Sequence, residues 1–506
     1  MRLLPAASTS FLFLIMALAL CFGHAPVLGD PDTAWHLAAG DLIRAQGSIP
    51  TYDPWSFTTQ GQRWYNLSWL FDASASALVN KGGLSTLYAV TLLVFAGTIT
   101  CMASQCLRRG ASVTAVGMVL LPVVCAVYPG VLARPNLCSV VCTLVFYRVL
   151  QRHNASAGVR GLLVLPPLMA LWANLHGGFL LAFLMLAVFV AAALLERNYK
   201  HALYCAGITL ACLAASLINP YGAEIYYGAY KSLAATFDQQ FVMEWKPVEI
   251  GHNVQMTLLL LVFLCLGNPQ ESRIPLADRV LGIIMMLLAL SEARHGTIAA
   301  LLIMPYLSLN LTFMLHESRF GARLRRAENG IADDMRRNDN RITAAIMALC
   351  SIVFIALPYP RDTLPATQTG QSQAPFVADR FPPDQFPVLE AHYALTHFPG
   401  MRFINHYNLG GYLDYIWRGR MKTFVDGRAS SLFGKDVLRD YTDFMGSGDN
   451  ASAIVARYRL DGAIMPHDPT GQDSWVCPVP CIAAYRGPVA TIYLFTDKER
   501  AFSHER

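Results

Sequence analysis

Long apolar runs recur along the first two-thirds of the chain, each bounded by polar, glycine or proline residues. A helix that crosses a bilayer takes about 20 mostly apolar residues. Eleven runs meet that pattern, near 8–28, 84–104, 111–128, 136–150, 161–175, 178–195, 202–218, 254–266, 279–291, 296–314 and 342–358. The pair flanking 291–296 reads as one bent helix or two. After 358 the pattern changes. A proline-rich stretch, 358–387, reads as a linker. Beyond it short elements alternate. Helices are expected over 386–398, 411–417, 435–445 and 451–458, and strands over 402–405, 423–425, 462–466, 482–485 and 491–495. That alternation predicts a small α/β domain. The expected fold is therefore an α-helical polytopic membrane part, 1–358, with a C-terminal α/β soluble domain, 359–506. No short-period repeat is present.

Composition agrees and adds sidedness. Of 506 residues, 54% are hydrophobic and only 14% charged, where a soluble domain carries roughly 25% charged. A disordered chain is excluded and a purely soluble one is disfavoured. The net charge of +5 is small for this length and gives no case for nucleic acid. Lys and Arg in the short loops set orientation. With the N-terminus inside, the inner loops are 105–110, 151–160, 196–201, 267–279 and 316–341. They hold 15 Lys and Arg against 7 outside. An odd number of spans then places everything after 358 outside. For a bacterial chain this means the inner membrane, with a cytoplasmic N-terminus and a periplasmic C-terminal domain.

The first run also resembles a signal peptide, with Arg2, an apolar core and small residues near Gly29. A retained helix is preferred, because the segment leads into an informative loop. Ten of the twelve cysteines lie in or beside apolar runs, where Cys behaves as a small hydrophobe. The other two, Cys477 and Cys481, lie in the outer segment, where a disulfide is permitted. Two outer loops are long, 29–83 and 219–253. The first is amphipathic and rich in tryptophan (Trp35, Trp64, Trp69), as segments lying at a lipid headgroup surface are.

The densest polar set follows the first span: Asp30-Pro31-Asp32-Thr33-Ala34-Trp35-His36. A carboxylate there can take a proton from a hydroxyl or hold a divalent metal. Asp beside Pro also simply turns the chain, and on residue types alone that plainer role is favoured. His36 is either an orienting or substrate-binding group or a structural one. Asp53-Pro54 reads as a turn, and Asp426-Gly427-Arg428, at the end of a strand, either as a loop built against the membrane part or as a turn, the turn being favoured. Cationic candidates at the outer ends of spans are Arg134, His176, Lys246, Arg294 and His295. An ionisable group at that depth is a functional candidate; the alternative is snorkelling to headgroups. Glu244-Trp245 either binds an acceptor or anchors the loop at the interface.

The first loop continues through Gly40, Pro50, Tyr52-Asp53-Pro54-Trp55-Ser56-Phe57, Trp64, Trp69-Leu70 and Lys81-Gly82-Gly83. Downstream come Arg134-Pro135-Asn136, Trp172-Ala173-Asn174-Leu175-His176-Gly177-Gly178, Asn219-Pro220-Tyr221-Gly222, Glu244-Trp245-Lys246-Pro247 and Arg294-His295. The outer segment adds Asn405, Tyr407, Gly410-Gly411-Tyr412-Leu413 and Val425-Asp426-Gly427-Arg428. This ordered string resembles the bacterial polytopic glycosyltransferases of the GT-C class. No single motif is specific; the ordered set is.

The resemblance implies an inverting transferase that uses a polyprenyl-phosphate sugar and reaches its acceptor, a glycan, lipid or protein, from the outer face. It carries the catalytic role onto Asp32, with Asp30 as the second candidate. Some members of the class use a divalent metal, Mg or Mn, and some do not. Asp30 and Asp32 would be its ligands here, and the sequence leaves the metal undecided. The departing lipid phosphate needs positive charge or hydrogen-bond donors, for which Arg134, His176, Lys246, Arg294 and His295 are the candidates. Two other functions compete: a transporter or flippase of a lipid-linked sugar, and a non-catalytic scaffold of envelope glycan assembly. Transporters place ionisable groups near mid-membrane in paired broken helices, whereas the polar clusters here gather at one face.

Overall fold

The computed structural model describes residues 16, 27–59, 61–155, 159–233, 245–249, 259–260, 263, 274–318, 321–328, 381, 385–446, 448, 450–468 and 475–496. The chain gathers into two compact units. One takes Met1–Leu28, Tyr88–Gly222 and Gln239–Leu357; the other takes Gly29–Leu87, Ala223–Asp238 and Pro358–Arg506. The long first loop thus groups with the C-terminal segment, and Pro358 opens the last stretch of that same unit.

The described helices are α1 (Pro31–Gln46), α2 (Trp69–Arg108), α3 (Val113–Val127), α4 (Asn136–Ala155), α5 (Leu165–Leu175), α6 (Leu180–Leu195), α7 (Tyr199–Ser216), α8 (Glu224–Leu233), α9 (Leu276–Ser291), α10 (Gly296–Glu317), α11 (Val388–His397), α12 (Tyr407–Trp417), α13 (Ala429–Leu432), α14 (Lys435–Met445) and α15 (Ala451–Tyr458). Strands β1 (Phe403–Asn405), β2 (Gly462–Pro466), β3 (Cys481–Arg486) and β4 (Ala490–Phe495) form one sheet. The protein is mostly helical, with that small sheet near its C-terminus.

Among the described residues, four stretches are long and apolar enough to cross a membrane: Trp69–Arg108, Val113–Gly130, Gly177–Leu195 and Ala293–Glu317. The expected spans 84–104, 111–128, 178–195 and 296–314 fall on them. Arg160–Leu175 is a shorter apolar helix. The spans expected at 136–150, 202–218 and 279–291 fall on α4, α7 and α9. The span at 342–358, and nearly all of 8–28 and 254–266, lie outside the described residues. α2 is broken at Gly83, whose φ of 75° and ψ of 177° suit glycine alone. α9 and α10 are two helices, separated by a 3-10 turn, Ala293–His295.

The helix ends of this unit meet in two sets. In the first, the Ala133 amide donates to the Val27 carbonyl, Asn174 Nδ2 to the Ile218 carbonyl, Ala293 N to Lys246 O and Val248 N to Leu290 O. In the second, Arg109 and Gln151 both reach Asp278 Oδ2, at 2.9 and 3.1 Å. There too the Ser112 amide donates to Thr312 Oγ1, and the Thr114 amide to Glu328. No contact mixes the two sets among these pairs.

In the other unit, β1 pairs with β2 in parallel, and β2 and β3 both pair with β4 antiparallel, in the order β1-β2-β4-β3. A parallel pair needs a long crossover, and α12 to α15 supply it between β1 and β2. β4 is central and buried along nearly its whole length. The expected helices over 435–445 and 451–458 and the strand over 462–466 coincide with α14, α15 and β2. The strand expected over 423–425 does not join the sheet. Thr423 instead bridges to Ser56, donating its amide to Trp55 O and accepting from Phe57 N. Its pairing partner is the first loop. Cys477 and Cys481 are joined as a disulfide at the start of β3.

Trp35 and Trp64, expected at a lipid headgroup surface, are buried instead. Trp35, Trp55 and Trp64 are 9%, 3% and 3% exposed. Their apolar area is buried against one another and against α12, whose Gly411 lies where a Cβ would be 2.7 Å from Pro31 O and 3.1 Å from Trp35. Aromatic burial on this scale is a large favourable term.

Candidate active site

Asp30 and Asp32 have different jobs. Asp30 is the N-cap of α1: its backbone is extended and its Oδ1 accepts the Asp32 amide at 2.8 Å. Pro31 at the first helical position gives up no needed N–H. Asp32 follows in the first turn, half-buried, where the helix dipole favours an anion. Its carboxylate lies against Gly427. A Cβ added there would stand 1.8 Å from Asp32 Oδ1 and 3.1 Å from Trp35 Nε1. That indole N–H is buried and makes no hydrogen bond. A carboxylate and an unused donor therefore border the same glycine.

Gly427 is flanked by buried charges. Arg428 donates from Nη1 to Asp53 Oδ1 (2.7 Å), from Nε to Asp426 Oδ1 (2.8 Å) and from Nη2 to Asp426 Oδ2 (2.6 Å). Its Nη2 also reaches Ser56 Oγ at 3.1 Å. The guanidinium sits 4.9 Å from the ring centres of both Trp55 and Trp64. Asp53 further accepts from the Trp55 and Ser56 amides and from the Thr59 hydroxyl. Burial alone would raise the Asp53 carboxyl. The Arg428 charge and the hydrogen bonds from Thr59 and Trp55 together outweigh it and hold Asp53 below its ordinary value. Asp414 on α12, bonded by Thr423 Oγ1 at 2.9 Å, goes the other way: full burial and the nearby Asp426 push it well above the carboxylate range, against Arg428.

The turn readings of Asp53 and of Asp426-Gly427-Arg428 were incomplete. Both make turns, since Asp53 Oδ1 caps Trp55 N and Asp426 Oδ1 accepts Arg428 N. Their charged ends then close on each other across the length of the chain. Only the repeated pairing of Asp with a turn residue hinted at this in the sequence.

His36 is buried. Its Nδ1 lies 2.7 Å from Asp72 Oδ1, and its ring stacks on Trp35 with centroids 3.6 Å apart. Asp72 Oδ2 accepts from Asn66 Nδ2 at 2.8 Å. This network ties α1 to the first turn of α2, where Gly40 lets the helices touch: a Cβ there would be 2.0 Å from Asp72 O. Asp72 was not singled out in the sequence.

The remaining candidates lie in the helical unit. Lys246, Arg294 and His295 come together there. The Arg294 guanidinium lies 3.6 Å over the Trp245 ring, and its Nε is 2.7 Å from Glu292 Oε2, which His295 Nε2 approaches at 3.4 Å. Glu292 is a further member that sequence reasoning missed. His176 caps the 3-10 turn Gly177–Phe179: its Nδ1 accepts the Gly178 amide at 3.2 Å and lies 2.7 Å from Ser139 Oγ. Arg134 is half-buried just before α4. Glu244 lies outside the described residues.

A resident divalent ion was tested against the donors. Among the described residues no group of three or more His, Cys, Asp or Glu converges, and one oxygen of Asp30 is committed to its cap.

No known family profile matches this chain, and no curated protein matches it. Among solved structures it is similar to the archaeal oligosaccharyltransferase AglB from Archaeoglobus fulgidus in complex with an inhibitory peptide and a dolichol-phosphate, with TM-score 0.46 and 10% identity over 91% of this chain and 69% of that one. The apo form of the Archaeoglobus fulgidus oligosaccharyltransferase gives TM-score 0.44 at the same identity and coverage. Likeness at this level says nothing of substrate or chemistry.

Proposed function

We propose that this chain is an integral membrane, inverting glycosyltransferase of the GT-C class. It moves a sugar from a polyprenyl-phosphate donor to an acceptor at the outer face of a bacterial cytoplasmic membrane. The observation that carries the reading is the Asp32 carboxylate, placed in the first turn of α1 beside Gly427 and the unused Trp35 N–H. Asp32 takes the proton from the acceptor nucleophile. The nucleophile attacks the anomeric carbon, and the bond from that carbon to the phosphate oxygen breaks with its electrons on the phosphate. One displacement inverts the configuration. Asp30 shapes the helix start and is not the base. No step runs through a metal.

Arg294 and Lys246 supply positive charge for the departing lipid phosphate, with Arg134 and His176 as further donors. The topology retained from the sequence has eleven spans, with the N-terminus inside and the C-terminal segment outside. The ends meeting at Asp278 are all inner in that topology, and those meeting at Ala133, Ile218 and Leu290 are all outer. The test is a profile of lipid-linked sugars in cells lacking the gene. Accumulation of one polyprenyl-phosphate sugar names the donor. An unchanged profile favours the scaffold, and a donor confined to the inner leaflet favours the flippase.

A further inference from the structure

We propose that α8 (Glu224–Leu233) is an interfacial helix that lies on the lipid headgroup layer and fastens the first loop to it. The occupant of its outer face is the bilayer surface. α8 has two faces. Ile225, Gly228 and Ala229 are buried, and the buried side packs on the first loop. A Cβ on Gly228 would stand 2.9 Å from Tyr65, Arg63 pairs with Glu224 at 2.6 Å, and Tyr65 meets Tyr227 edge-on at 5.9 Å. The other face carries Tyr227, Tyr230 and Leu233, exposed by 55%, 64% and 58%. Lys231 sits beside them, 5.9 Å over the Tyr227 ring.

Two tyrosines, a leucine and a lysine on one stripe are ill suited to water, and too polar for the bilayer core. They are the composition of the headgroup zone, where aromatic rings sit at the boundary and Lys reaches outward. The chain itself leads there. Just before α8, α7 presents an outward row of Leu203, Leu210, Leu213 and Leu217. Residues 217–223 join the two helices and reach at most about 25 Å. Asn219 tightens that link, donating to Ser216 O at 2.8 Å and Gly222 O at 3.0 Å. A helix that follows an apolar span so closely meets the headgroup layer before it meets bulk water. The contrast with the first loop supports this. Trp35, Trp55 and Trp64 of that loop are buried, whereas α8 exposes two aromatic rings on adjacent turns.

The test uses the full-length protein in nanodiscs of phosphatidylethanolamine and phosphatidylglycerol. The photo-crosslinking residue p-benzoylphenylalanine is placed at Tyr227, at Tyr230, or at Arg439 of α14, an exposed control position. These are exposed positions, so the fold is kept. The expected result is lipid adducts at Tyr227 and Tyr230, at least about tenfold above those at Arg439. Adducts to protein instead of lipid, or equal lipid labelling at all three positions, overturn the proposal. The outcome does not depend on any transferase activity.

Discussion

Gly427 leaves no room for a side chain beside Asp32. Its missing Cβ would fall 1.8 Å from Asp32 Oδ1, so the C-terminal segment forms one wall of the carboxylate's surroundings. The two residues come from opposite ends of the chain and meet only in the folded unit.

That contact makes Gly427→Ala a sharp probe. Gly427 does not use the left-handed backbone region, so alanine there carries no backbone penalty and would ordinarily be neutral or stabilising. The contact with Asp32 reverses this expectation. Transfer should fall by about 100-fold, in line with the effect of a 1 Å misplacement of a reacting group. Membrane levels should stay near those of the wild type. Sugar transfer in washed membranes, normalised to protein, measures it; full activity would show that Asp32 is not constrained by this wall.

Arg428 and Asp53 should behave as one unit. Removing either partner leaves a buried charge uncompensated, which costs about 3–5 kcal/mol. Arg428→Met and Asp53→Ala should each expose the C-terminal segment to limited proteolysis. The double variant should be less sensitive than the sum of the singles. Simple additivity in a proteolysis series would contradict the pairing.

The pH response of the outer unit has a defined sign. His406 is the N-cap of α12, and its Nδ1 accepts the Asn408 amide at 3.3 Å, which only an unprotonated Nδ1 can do. Burial lowers its pKa from 6.5 to about 4. The unfolded chain therefore takes up this proton first as pH falls. Stability is full above pH 6.5 and declines between about 6.5 and about 4. Below that window Asp53, also lowered, begins to lose its ion pair. His406→Asn keeps a capping side chain without titrating. Its melting temperature should fall less than that of the wild type between pH 7 and 4.5. Parallel curves would remove His406 from the account.

Local features were legible in the sequence and long-range ones were not. α14, α15 and β2 follow from hydrophobic period and turn residues, which act over a few positions. The helix start at Asp30 reads in the sequence as a turn, although Asp-Pro before an apolar-periodic run also fits an N-cap. The pairing of Arg428 with Asp53, and of Thr423 with Ser56, depends on which distant segments fold together. For the same reason Trp35 and Trp64 read as surface residues. Tryptophan is equally at home at an interface and in a core, and only the presence of α12 above them decides. His36 resolves likewise, because Asp72 lies one helix away.

Arg294 should act on donor binding more than on the chemical step. Its guanidinium is held by Trp245 stacking and Glu292. Arg294→Ala should raise the KM for the lipid-linked donor by about tenfold or more, the loss of one charge-assisted contact. Arg294→Lys should restore only part, because Lys does not stack. A change confined to kcat would place Arg294 elsewhere in the reaction.

The most direct measurement compares Asp32→Asn with Asp30→Asn in cells, reading the polyprenyl-phosphate sugars by mass spectrometry. Asparagine caps a helix about as well as aspartate, so Asp30→Asn should keep the fold and leave the profile close to that of the wild type. Asp32→Asn removes the base, and the unused donor should accumulate as it does without the gene. A wild-type profile from Asp32→Asn at normal membrane level would contradict the account.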